Sequence, residues 1–264
     1  MTKTIVYKEK KLSYMVSGTG ATVLLIHGFG EDGDIWKEQI SFLQPFYHLI
    51  VPYLPGSGAS EMSSDMSIEA MAENIRFILN EENVQTCTMI GHSMGGYITL
   101  AFAEKYAPML SGFGLFHSTA FADSEEKIKT RKKSIELIKE KGAFAFLDSA
   151  TPNLYSRFTK ENQPQIIERH IHSVHYFSNE SLVAYYDAMI HRPDRTEVLK
   201  QNKLPILFVL GRSDSAVPLD DGLQQVHLPN TSFVHILENS GHMGMVEEVE
   251  KTCSILKQFL SEVS

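Results

Sequence analysis

Cysteine is scarce in this chain: two in 264 residues, one (Cys87) in an apolar run and one (Cys253) in a late helical pattern. That excludes a disulfide framework and a cysteine-built metal site, and both thiols read as small buried hydrophobes suited to a reducing compartment. Basic residues are also in short supply, with 24 Lys and Arg against 32 Asp and Glu and a formal net charge of −8. A phosphate-binding groove needs a surplus of cations on one face, so no nucleic-acid partner is expected. Long apolar runs are missing as well, and none approaches the roughly 20 residues of a membrane span. The opening stretch Met1–Lys8 lacks the apolar core of a secretory signal. The expectation is a soluble, cytoplasmic protein without a membrane span. There is no internal repeat or low-complexity tract. With 43% hydrophobic residues, the chain can bury a full core and fits one domain carrying an insertion.

What is present is organised around Gly91-His92-Ser93-Met94-Gly95. An apolar segment, Thr86–Ile90, precedes it as a buried strand, and Tyr97–Glu104 follows as a mostly buried helix. A strand turning this sharply into a helix crowds its neighbours, so glycine two residues before and two after the serine meets a steric demand. The helix start also aims unpaired N–H groups and a positive dipole end at the same spot.

Along the chain, residues 4–16 alternate around Lys8-Glu9-Lys10-Lys11 and predict two short antiparallel edge strands. Thr22–Ile26 is a continuous apolar run, the mark of a strand covered on both faces, and leads into His27-Gly28-Phe29-Gly30. A helix is predicted through Ile35–Leu43, a strand at His48–Val51, and a helix from about Ser67 with Ile68, Met71, Ile75, Ile78 and Leu79 on one face. Ser111–Phe116 gives another strand. Strands alternating with helices at this spacing predict an α/β fold with a mainly parallel sheet and right-handed crossovers. The alternation stops between Thr119 and Arg195, where only helical stretches are found: Asp123–Lys141 with an Asp-x-x-Glu start, Phe144–Leu147, Gln165–Val174 and Ser181–His191. It resumes with strands at Leu204–Leu210 and Ser232–Leu237 and a closing helix around Val246–Leu260. The domain reading is thus a core of residues 1–118 and 196–264 interrupted by a helical insertion, 119–195.

A serine hydroxyl becomes a good nucleophile only when an imidazole takes its proton and a carboxylate orients that imidazole. Asp214, in Gly211-Arg212-Ser213-Asp214, follows the penultimate strand, and His242, in Asn239-Ser240-Gly241-His242, follows the last. In a parallel sheet both loops lie at the carboxyl edge that carries Ser93, where open α/β sheets bind ligands. Asp220 and Asp221 lie close behind, but Asp214 falls immediately beyond the strand.

With these four segments in this order, the chain resembles the α/β-hydrolase family in its cap-bearing, esterase-like branch. The resemblance covers nearly the whole chain and implies Ser93 as nucleophile, Asp214 as orienting acid and His242 as general base. His27–Gly30 resembles the family's oxyanion loop, which assigns the backbone N–H groups of Phe29 and Met94 to the oxyanion hole. Residues 119–195 become the cap, or lid. Tyr53 stands before Leu54-Pro55-Gly56 where many relatives carry Asp, a departure expected to affect loop packing rather than chemistry. The implied activity is cofactor-independent, metal-free hydrolysis of a small-molecule carboxylic ester. Because the lid is rich in aromatics, a fairly apolar substrate is expected to fit better than a charged one, with Phe121, Phe144, Tyr155 and His117 as pocket-lining candidates. For His117, lining and simple packing both stay open. The resemblance also allows lactone hydrolysis, C–C bond hydrolysis of diketones or peracid chemistry. A non-catalytic ligand receptor is the rival from another class.

Other motifs receive plainer readings. Gly28-Phe29-Gly30-Glu31-Asp32-Gly33 matches a dinucleotide fingerprint, but Glu31 and Asp32 would face the pyrophosphate, and the next strand ends in Val51 and Tyr53 instead of a ribose-binding acid. His170, His172 and His175 read as a solvated helix face, since His170 and His172 point apart on a helix. His92 should be structural, because alternate residues at a strand end point to opposite faces. The run Lys127–Lys133 is expected to be an exposed helix face.

Overall fold

The central strands are built from β-branched and aliphatic runs with no polar alternation, so they are stable only when covered on both sides. In the computed structural model, which describes residues 1–263, that is how they lie. β1 (Thr2–Tyr7), β2 (Lys10–Ser17), β3 (Thr22–Ile26), β4 (His48–Pro52), β5 (Cys87–His92), β6 (Leu110–Phe116), β7 (Ile206–Gly211) and β8 (Ser232–Leu237) form one sheet in the order β1-β2-β4-β3-β5-β6-β7-β8. β1 pairs antiparallel with β2, and β2 with β4. All pairs from β4 to β8 are parallel. The β1–β2 turn places Lys8 and Glu9 at φ 48° and 64°, the two positive-φ positions of a tight hairpin turn whose twist matches its strands.

Side-chain alternation along β3 shows how the layers form. Leu24 and Ile26 pack with Met71, Ile75, Ile98 and Phe102 on one face. Val23 and Leu25 pack with Trp36, Leu43, Leu256 and Phe259 on the other. The first layer holds α2 (Ile68–Glu81, capped by the Ser67 side chain) and α3 (Met94–Tyr106), and the second holds α1 (Lys37–Leu43). Ten consecutive residues of α3, Met94–Ala103, are buried, so this helix forms the floor beneath the sheet's carboxyl edge.

Between β6 and β7 the chain is helical throughout: α4 (Glu125–Lys141), α5 (Ala143–Ala150), α6 (Arg157–Asn162), α7 (Pro164–Ser173), α8 (Asn179–His191) and α9 (Thr196–Gln201). After β7 come α10 (Leu219–Leu223), then α11 (Gly244–Glu247) and α12 (Val249–Val263), which pack back on the core. The short helices α6, α9 and α11 escape the sequence reading because one or two turns carry too little periodicity. The expected Asp-x-x-Glu start of α4 is shifted: Ser124 caps the Lys127 N–H, and Asp123 is freed for arginine pairing. No helix among the described residues is long and apolar enough to cross a membrane.

Candidate active site

At the β5–α3 junction Ser93 has φ 50° and ψ −115°, a conformation costing a non-glycine residue about 1–3 kcal/mol. The surroundings enforce it. A Cβ on Gly91 would stand 2.2 Å from the Gly95 carbonyl oxygen, and one on Gly95 would stand 2.5 Å from that of Ile26. The Ser93 N–H donates to Phe116 O (3.0 Å) and Ser118 Oγ donates to Ser93 O (2.7 Å), so both peptide groups of the turn are tied down. The backbone N–H groups of Phe29 and Met94 donate to no acceptor among the described residues.

The loops after β7 and β8 bring Asp214 and His242 together, with Nδ1 and Oδ2 2.8 Å apart. Asp214 Oδ1 accepts from the N–H groups of Ala216 (2.9 Å) and Val217 (2.8 Å). Its Oδ2 also meets Nδ1 of His117 at 3.2 Å. The Gly244 N–H donates to His117 Nε2, so the single ring proton of a neutral His117 sits on Nδ1 and points at the carboxylate. Burial alone would raise the Asp214 carboxyl, but the two imidazoles outweigh it and hold it well below the usual carboxylate range. Burial lowers His117 despite the carboxylate beside it, consistent with the neutral ring. Ser93 and His242 line one cavity of about 120 Å³.

A second carboxylate–imidazole pair lies beside the first. Glu31 Oε2 accepts from the Gly28 N–H (2.9 Å) and faces His92 Nδ1 (2.9 Å), while His92 Nε2 faces the backbone carbonyl of His242 at 2.9 Å. Both ring nitrogens of His92 therefore meet acceptors, which only the imidazolium can satisfy. Burial opposes each charge, but the pairing wins: Glu31 is held at about 2 and His92 is raised. This pair joins the 27–30 loop, the turn at Ser93 and the His242 loop, with the His92 and His242 ring centres 4.9 Å apart. The structural reading of His92 thus holds, with a partner that the sequence reading missed. The same bond weighs against a dinucleotide site, since a carboxylate of the chain itself occupies the Gly28 donor.

The pocket-lining expectations fare less well. His117 lies behind Asp214 rather than in the cavity, and Phe121 is absent from its wall. Phe144, at 47% exposure, points to solvent. Tyr155 is buried but lines a separate cavity of about 470 Å³, where its hydroxyl meets His170 Nδ1 at 2.9 Å. The aromatics that do face Ser93 are Phe29, Tyr97 and Tyr186, with Tyr186 stacked on Phe29 at 4.2 Å. His170 is buried, contrary to the solvated-face reading, because α7 turns it toward Tyr155; His172 and His175 are exposed as expected. In the basic run, Arg131 departs from the exposed reading: it pairs with Asp123 and reaches the cavity. Tyr53 fills the space beside Gly58, where a Cβ would lie 2.4 Å from its ring, a packing role as expected.

His117, Asp214 and His242 offer ligand atoms within 4.8 Å of one another. With each Nδ1 turned to the carboxylate, the cluster is satisfied by its own hydrogen bonds, and a metal ion would have to displace both ring protons.

Residues 21–113 match the family model described as the alpha/beta hydrolase fold. Lipase 1 of Psychrobacter immobilis is 26% identical over 95% of this chain and 81% of its own length. A 2-hydroxy-6-oxononadienedioate/2-hydroxy-6-oxononatrienedioate hydrolase of Paraburkholderia phymatum is 25% identical over 96% of this chain and 92% of its own. Among solved structures, the malate-bound thermophilic esterase of Thermogutta terrifontis superposes with a TM-score of 0.93 at 28% identity, covering 100% of this chain and 99% of that one. Sheet order, the Ser93 turn and these similarities agree: the chain has the alpha/beta hydrolase fold and is similar to lipases, esterases and other hydrolases.

Proposed function

We propose that the protein is a serine hydrolase of small carboxylic esters working through an acyl-enzyme. Ser93 Oγ attacks the ester carbonyl as His242 Nε2 takes its proton, and the oxyanion is received by the N–H groups of Phe29 and Met94. The tetrahedral species collapses with the alcohol leaving on the proton held by His242. Water, deprotonated by the same imidazole, then releases the acid and restores Ser93. Asp214 keeps the His242 Nδ1–H in place and balances the imidazolium that forms. Residues 119–195 act as the lid that walls the cavity from solvent.

The observation that carries this reading is the Asp214 carboxylate held on His242 Nδ1 at 2.8 Å, with His242 sharing one small cavity with a serine on a strained strand-to-helix turn. A binding-only receptor has no need of that strain. The test is covalent labelling with a fluorophosphonate alongside turnover of short p-nitrophenyl esters. Adduct on Ser93 and loss of both signals in Ser93→Ala are expected. An adduct on another serine, or turnover that survives Ser93→Ala, overturns the proposal.

A further inference from the structure

Resting on the ester-hydrolase reading above, we infer that the substrate carries a carboxylate, received by Arg131 at the lid side of the Ser93 cavity. The ester itself is small, because the cavity of about 120 Å³ has room for roughly four water volumes.

The argument is one of charge and donors. The Asp123 side chain is fully buried and takes two guanidinium groups: Arg131 through Nε (2.5 Å) and Nη2 (3.3 Å), and Arg192 through Nη1 (2.9 Å). One carboxylate cannot neutralise two guanidiniums, so the cluster carries a surplus of one positive charge. Arg192 also donates from Nη1 to the carbonyl of Met189 (2.6 Å) and from Nη2 to that of Phe121 (2.9 Å), and does not line the cavity. Arg131 Nη1 has no acceptor among the described residues, and Arg131 is the arginine that lines the cavity with Ser93. The two guanidiniums lie over Tyr186 (5.6 Å) and Tyr97 (3.8 Å), whose rings are part of the same wall. The cavity's own carboxylate, Glu31, does not compete, because it is neutralised in place by His92.

A largely buried cation with an unpartnered nitrogen, in a wall whose apolar part includes Phe29, Leu154, Met189 and Val217, calls for a singly charged acceptor on a short apolar body. One free guanidinium nitrogen and one surplus charge match a carboxylate better than a phosphate, which would need more donors. This replaces the expectation of an uncharged, fairly apolar substrate.

Two matched pairs of esters test it by pH-stat. Monomethyl succinate against methyl butyrate places the carboxylate on the acyl half, and O-acetylglycolate against propyl acetate places it on the alcohol half. In at least one pair the anionic ester should have the higher kcat/KM. Arg131→Gln should lower that preference about tenfold or more, chiefly by raising KM for the anionic ester, and Arg131→Lys should restore part of it. Should Arg131→Gln fail to fold, the wild-type enzyme still decides: succinate should inhibit methyl butyrate hydrolysis more strongly than succinamide does. Turnover of neutral esters, with no anionic preference in either pair and equal inhibition by succinate and succinamide, overturns the inference and leaves the hydrolase reading standing. No turnover of any ester and no fluorophosphonate adduct on Ser93 overturns both.

Discussion

Replacing Glu31 by Gln removes the negative member of a fully buried pair while keeping its shape. The carboxyl is drawn from an ordinary value of 4.5 to about 2, which corresponds to about 3 kcal/mol of folding stability at neutral pH. The sign follows from the direction of each shift. Because the Glu31 value is depressed, its contribution is present above pH 4.5 and fades as pH falls toward 2. Because the His92 value is raised, its contribution is full below 6.5 and fades as pH rises through the folded value. The pair is therefore intact between about pH 4.5 and 6.5, and about 2 kcal/mol of the 3 should be gone at pH 3. Urea unfolding can be followed by fluorescence of the single tryptophan, Trp36, which is buried with its ring 6.4 Å from His92. Glu31→Gln should cost about 3 kcal/mol at pH 6 and only about 1 at pH 3. A cost below about 1 kcal/mol at pH 6, or one that does not change between pH 6 and pH 3, would refute a charged Glu31–His92 pair.

Asp214→Asn should lower kcat by up to about 10⁴, the scale known for losing the orienting carboxylate of a serine-protease triad, while Asp220→Asn and Asp221→Asn keep near-normal turnover; the reverse pattern in steady-state assays would reassign the acid. His117→Phe keeps a ring in the space but removes one donor from Asp214 and the acceptor of the Gly244 N–H. It should cost about 1–3 kcal/mol in denaturant midpoint analysis and lower kcat about tenfold with little change in KM; unchanged kcat would show that His242 alone suffices to hold the carboxylate. Chelator should leave ester turnover unaffected, since the His117 and His242 Nδ1 protons are committed to Asp214; inactivation by EDTA that zinc restores would contradict that proton assignment.

The Ser93 turn and the convergence of Asp214 and His242 on one sheet edge were legible because each position is fixed by local chemistry at a strand end: glycines that sterics require, a carboxylate directly after β7, an imidazole after β8. The mainly parallel sheet followed from apolar runs alternating with helical patterns, whereas the strand order did not. Glu31 was not legible as a partner of His92, since they stand 61 residues apart and neither has a periodic neighbour; the available signal was an acid set among glycine and aromatics in a loop between strand and helix. Arg131 was hidden for a different reason. Its neighbours Lys129, Lys132 and Lys133 make the segment look solvated, and only the turn of α4 shows that Lys127 and Arg131 share an inward face, bonding Ala216 O and Asp123 respectively. Phe144 misled in the opposite sense, because an aromatic in an insertion is as easily a surface residue as a lining one.

One contact constrains how this enzyme can breathe. The His242 N–H donates to Leu154 O at 2.7 Å. Glu247 clasps both sides of the same seam, taking the Gly241 N–H (2.8 Å) on one oxygen and the Ser156 N–H (2.9 Å) and Thr159 Oγ1 (2.7 Å) on the other. Lifting residues 154–159 would break these bonds or drag the histidine loop along, which on the proposed mechanism would displace the base. On the proposed mechanism, substrate entry and product exit are expected on the far side of the cavity, at α4 and α8, where Arg131, Tyr186 and Met189 reside. Attempts to widen the site for bulkier esters would best begin on those two helices and leave the 154–159 edge untouched.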